Sequence, residues 1–150
     1  MKNLGLWIGL GVVVMIGIAI VSAGQMGTTS HAFARGKIVL KDGLEGKASA
    51  ARTLFITVFD QDIPRPPFGA MRTTLKEPPQ KNVYDFIITK DRLEIMRPGA
   101  PWPTKVRIKA RLDQDGRAGP DMPGDLWGEV NAVTAGAKDL TITIDKVVGM

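Results

Sequence analysis

Residues Leu4 to Ala23, LGLWIGLGVVVMIGIAIVSA, run for twenty positions without a formal charge. As a helix rising about 1.5 Å per residue, such a run reaches about 30 Å, the thickness of bilayer hydrocarbon. The expectation is one N-terminal transmembrane helix, with residues 1–24 as anchor, 25–34 as linker and 35–150 as an exported domain. Lys2 precedes the run and the next charge is Arg35, so the positive-inside bias keeps the N-terminus in the cytoplasm and sends the rest across the inner membrane. A cleaved signal peptide is the competing reading, because Val21-Ser22-Ala23 offers the small residues of a cleavage site; the length of the run favours a retained anchor. Gly5 and Gly9 form a G-x-x-x-G step and Gly17 adds a third small residue, a pattern that lets a neighbouring helix approach. The following stretch, GQMGTTSHAFA, is small and polar, and His31 within it reads as a solvated linker histidine.

The span leaves 116 residues, Arg35 to Met150, for a water-facing fold, enough for one modest domain. Short β-prone runs alternate there with Gly, Pro and Asp turns, and no long helical period appears. Candidate strands are Gly36–Leu40, Thr53–Asp60, Ala70–Thr74, Val83–Ile88, Lys105–Leu112, Leu126–Val130 and Leu140–Val147, with a helical turn or two within Leu44–Ala51. The fold class is all-β, a small antiparallel β-sandwich or barrel-like domain.

Composition removes much chemistry. The chain has no cysteine and one histidine, which excludes disulfides, thiolate metal sites, a thiol nucleophile and covalent haem attachment. Ser22, Ser30 and Ser49 are the only serines, none in a G-x-S-x-G context, so no hydrolase triad can be assembled. Asp60 and Asp62 form a carboxylate pair, but a strand-end turn before Pro64 accounts for them without acid–base catalysis. Asp113-Gln114-Asp115-Gly116 has the D-x-D-G spacing that opens a calcium loop, yet no bidentate glutamate follows, and the expectation is a turn reversing the chain into Arg117-Ala118. No catalytic residue, metal ligand or cofactor site is assigned, and the chain is expected not to be an enzyme.

Interaction surfaces are the remaining candidates. In Lys105–Leu112 the apolar Val106, Ile108, Ala110 and Leu112 alternate with Lys105, Arg107, Lys109 and Arg111, predicting one core face and one cationic face. That face either meets anionic partners or is offset by acids on adjacent strands. Nucleic acid is a poor fit, since an exported domain with 19 basic and 15 acidic residues lacks an aromatic stacking platform beside its cations. Three proline-rich segments, IPRPPFGAM, MRPGAPWP and AGPDMPGDLWG, carry Phe68, Trp102 and Trp127 together with Met71, Met96 and Met122. These are either a rim of partner anchors or side chains that fold inward to close the sandwich.

The order of these segments supports a more specific expectation. GKIVL, TLFITVFD, PRPPFGAMR, YDFIIT, EIMRPG, VRIKARLDQDGRA, PDMPGDLWG and LTITIDKV follow one another from Gly36 to Val147. The chain thereby resembles the periplasmic C-terminal domain of the CycH-type (CcmI-type) cytochrome c maturation factor. The most specific part is R-L-x-x-x-G-x-A-x-P-x-x-P-G-D-L-x-G, Arg111 to Gly128. The resemblance implies a β-sandwich, a place in cytochrome c biogenesis, and partners among apocytochrome c and the haem-ligation components of a membrane-embedded complex. Unlike that factor, the chain is expected to have one span leading straight into the domain, without tetratricopeptide repeats. Two functions follow as expectations: a non-catalytic, membrane-anchored assembly or scaffold protein docking partners through its loops and basic strand, or an accessory structural subunit capping the periplasmic face of a respiratory or photosynthetic electron-transfer complex.

Overall fold

The computed structural model describes residues 31–149. The expected span, its Gly5, Gly9 and Gly17 and the preceding Lys2 lie outside the described residues. Among the described residues no helix is long and apolar enough to cross a membrane.

Among the described residues nine strands form two sheets: β1 (Ala34–Leu40), β2 (Thr53–Asp60), β3 (Gly69–Thr74), β4 (Asn82–Ile88), β5 (Glu94–Ile95), β6 (Lys105–Asp113), β7 (Leu126–Thr134), β8 (Ala137–Ile144) and β9 (Lys146–Val147). The smaller sheet runs β4-β1-β8 and the larger β5-β3-β2-β6-β7-β9. Alternation decides which faces meet, because successive strand side chains point to opposite sides. Leu54, Ile56 and Val58 of β2 and Val106, Ile108, Ala110 and Leu112 of β6 are buried in the space between the sheets. Ile38 and Leu40 of β1, Phe86 and Ile88 of β4, and Ile142 and Ile144 of β8 close it from the other side. Burial of this apolar area, at roughly 25 cal/mol per Å2, is the main favourable contribution to the fold.

Two glycines let backbones approach, one between the sheets and one within the smaller sheet. A Cβ on Gly128 of β7 would lie 1.9 Å from the Thr143 carbonyl oxygen of β8, so the two backbones touch where the sheets come together. A Cβ on Gly36 of β1 would lie 2.1 Å from the Leu140 carbonyl oxygen. There the β1–β8 register steps from Ala34↔Ala137 to Gly36↔Leu140, which leaves one extra residue on β8, and Asp139 takes a φ of 56°.

The structure corrects several boundaries. β1 and β8 are parallel, so the sandwich is not wholly antiparallel; six strands intervene, ample chain for a crossover. The run expected as one strand from Leu140 to Val147 is two, because the amide of Asp145 donates to the Trp127 carbonyl at 3.2 Å and turns the chain from the smaller sheet into the larger. β7 continues past Val130 to Thr134 through a bulge, with Ala132 at a φ of 53° and its amide held by Gln61 Oε1 at 3.2 Å. The helical stretch shrinks to one turn, α1 (Glu45–Ala48), and β5 arises where the sequence predicted loop. β1 begins at Ala34, within the expected linker, because the Phe33 amide already donates to the Ile88 carbonyl at 2.7 Å.

Candidate functional site

β6 lies between β2 and β7, so each outward side chain of the basic strand has neighbours on both sides. Arg107 stands opposite Phe59, Lys109 between Thr57 and Glu129, and Arg111 between Phe55 and Trp127. The register places acids and aromatic rings against these cations. Arg107 reaches Glu129 Oε2 at 3.1 Å with its guanidinium 4.2 Å from the centre of the Phe59 ring. Lys109 pairs with Asp121 and lies 4.6 Å from the Trp127 ring, which Lys146 of β9 also approaches at 4.7 Å. Of the two readings of this face, an offset by neighbouring acids describes three of its cations. Of its four cations, only Lys105, exposed at the start of the strand, has no acidic partner within 4.0 Å among the described residues.

Arg111 has left solvent altogether, at 6 % exposure. Its Nη1 donates to the Gly119 carbonyl at 2.8 Å and to Asp121 Oδ1 at 3.0 Å, and its Nη2 to the Arg117 carbonyl at 3.3 Å, with Asp113 Oδ2 at 3.1 Å. Nε lies 4.0 Å from Asp125 Oδ2. Two of these acids also hold the loop: Asp113 Oδ1 accepts the Gly116 amide at 2.6 Å, and Asp125 Oδ2 the Met122 amide at 2.8 Å. The tight reversal expected at Asp113–Gly116 is thus the first corner of a twelve-residue connection from β6 to β7, folded back over the sheet and clasped by one guanidinium. Paired charges withdrawn from water call for such partners, and the two terminal nitrogens have them, while the buried Nε has no hydrogen-bond partner among the described residues.

The acids respond in opposite directions. Burial pushes the Asp113 carboxyl above its ordinary value, helped by a hydrogen bond with Asp115. Burial acts the same way on Asp121, but hydrogen bonds from Lys109 and Arg111 outweigh it and hold that carboxyl low. Asp60 is also held low, chiefly by the Asp62 amide, which donates at 2.9 Å, with Arg97 at 3.3 Å. The Asp60–Asp62 pair is therefore a turn cap with an ion pair, not two carboxyls facing one substrate.

Between the clasped loop and the proline segments lies a groove of about 290 Å3. Phe55, Thr57, Phe59 and Ala70 make its floor, Lys109, Arg111, Gly119 and Asp121 one wall, and Pro67 and Met96 the other. Parts of all three proline-rich segments converge beside the basic strand through the registers β2–β3, β2–β6 and β3–β5. Met96 is 44 % exposed at the lip. The sequence reading missed Phe55 and Phe59; the signal available was that TLFITVFD carries aromatic rings on its outward alternate positions.

The expected aromatic anchors separate. Phe68 is 1 % exposed, its ring 5.0 Å from that of Trp102, and so packs the fold rather than a rim. Trp102 is half-buried and stacks on Phe33 at 5.4 Å, closing one end of the sandwich. Trp127 is half-buried on the outer face between its two lysines. Met71 packs against the core, while Met122 is half exposed on the clasped loop. Among the described residues no group of acids and histidine converges as a metal site.

No curated protein and no solved structure matches the chain. A family model does, that of the cytochrome c-type biogenesis protein H Ig-like domain, over residues 35–145. The match takes in β1 from Arg35 onward and the whole of β2 to β8, and contains the clasped loop, whose three acids Asp113, Asp121 and Asp125 gather around Arg111. With most of its length inside that match, the chain belongs to the cytochrome c-type biogenesis protein H Ig-like domain family, a membership that supports a role in cytochrome c maturation.

Proposed function

We propose that this protein is a non-catalytic assembly protein of cytochrome c maturation, anchored in the inner membrane by Leu4–Ala23, whose periplasmic domain holds protein partners in the groove on the larger sheet. The groove carries the reading. Its floor is aromatic, its lip bears an exposed methionine, and its wall cations are already paired, so it suits an apolar segment of another protein better than a small charged substrate. Aromatic rings offer contact area with few rotatable bonds, and a flexible methionine adapts to the surface it meets. Components of the maturation machinery, haem-ligation proteins or apocytochrome c, are the partners that family membership supports.

The test is to extract the full chain from its own membranes in mild detergent and identify what accompanies it by mass spectrometry and visible absorption. Substoichiometric maturation components or apocytochrome are expected. A haem-bearing or pigmented complex that holds the chain at fixed stoichiometry would instead make it a structural subunit.

A further inference from the structure

The strand registers gather cations at the end of the sandwich where the described chain begins. Ala34 of β1 stands opposite both Ile88, the last residue of β4, and Ala137, the first of β8. Arg35, Lys90 and Lys138, each next to one of these positions or a turn beyond it, consequently line one cavity of about 690 Å3 with Phe33 and Trp102 on its apolar side. All three cations are exposed, no acid lines the cavity, and none of the three has an acidic partner within 4.0 Å among the described residues. The contrast with β6 is direct, since three of the four cations of that strand are paired. Residues 1–30 contain no Asp or Glu, so that stretch brings no acidic side chain to offset them. Only residues 24–30 separate the apolar run from the described chain, and seven residues reach at most about 25 Å even when extended.

We propose that this end of the sandwich seats the phosphate headgroups of anionic phospholipids in the membrane that anchors the chain. The inference rests on the reading of Leu4–Ala23 as a span, which brings the cavity to headgroup depth. Lys and Arg near an anionic surface each strengthen association about five-fold, and salt weakens it. Trp102 adds an amphipathic ring of the kind that favours the membrane–water interface.

The experiment incorporates the full chain into vesicles of phosphatidylcholine, alone or mixed with phosphatidylglycerol. It compares the protein with a variant carrying Arg35→Gln, Lys90→Gln and Lys138→Gln, and with a far-end control, Lys76→Gln. Retention on phosphatidylcholine vesicles after alkaline washing reports the span; amide hydrogen exchange at residues 31–36, 89–92 and 135–139 reports the seat. Protection there that requires phosphatidylglycerol, falls with salt, and is lost in the triple variant but kept in Lys76→Gln is the expected result. Retention without such protection overturns the proposal and leaves the span standing. If the chain is not retained on neutral vesicles, the span reading fails, and flotation with phosphatidylglycerol vesicles decides the seat: about 100-fold weaker binding by the triple variant supports it, and no binding by the unaltered chain overturns it. Equal protection by inorganic phosphate with neutral vesicles also overturns it, in favour of a soluble anion.

Discussion

At the scale of single residues, the four cations of one alternating strand have four different fates. Arg111 carries the largest consequence, because removing it leaves the buried Asp113 and Asp125 without a cation, while Asp121 keeps Lys109. Arg111→Ala is expected to cost about 3–5 kcal/mol in urea unfolding, while Arg107→Ala, which breaks a pair with one-third of its guanidinium side chain exposed, should cost below about 1 kcal/mol. Acid sensitivity follows from the carboxyls. Asp121 is held below its ordinary 3.8, so its contribution is complete above that value and is lost as pH falls through the lower folded value. Asp113 is raised and acts with the opposite sign, giving back stability as pH falls through its folded value. Stability measured from about pH 5 downward should therefore decline less steeply in Asp121→Asn than in the unaltered chain, with the difference concentrated below pH 3.8.

At the scale of elements, the bends between strands matter more than the strands themselves. The amide of Asp145 turns one β-prone run into β8 and β9, and the β7 bulge at Ala132 lets Val133 return to the core. Gly128 sets the distance between the sheets. Gly128→Ala would push a methyl into the Thr143 carbonyl, which cannot yield as a flexible side chain could, and should cost about 3 kcal/mol, the upper end of overpacking. Gly46, by contrast, lies in the single turn of α1 with nothing within 4 Å of an added Cβ. Gly46→Ala is expected to stabilise by about 0.5–1 kcal/mol, and thermal unfolding of the two variants checks both signs.

At the scale of the molecule, the two ends of the sandwich differ in kind. The clasped loop, with its acids gathered around Arg111, lies at the end away from chain entry, and the unpaired cations lie at the entry itself. The groove joins them along the outer face of the larger sheet. In the co-purification experiment, Phe59→Glu should release the partner by about 30-fold or more while folding persists, because the new carboxylate lies beside Arg107. What the sequence determined alone is local. Alternation in Lys105–Leu112 and Thr53–Asp60 specified strands and their core faces, and the spacing from Arg111 to Gly128 carried the family, since period-two burial and fixed turn residues are properties of neighbouring positions. Whether Arg111 was a surface charge or a buried clasp, whether Phe68 faced out or in, and which segments walled the groove were decided by register across strands distant in the chain. Burial and charge pairing depend on what stands opposite a side chain, and only the tertiary fold supplies that neighbour.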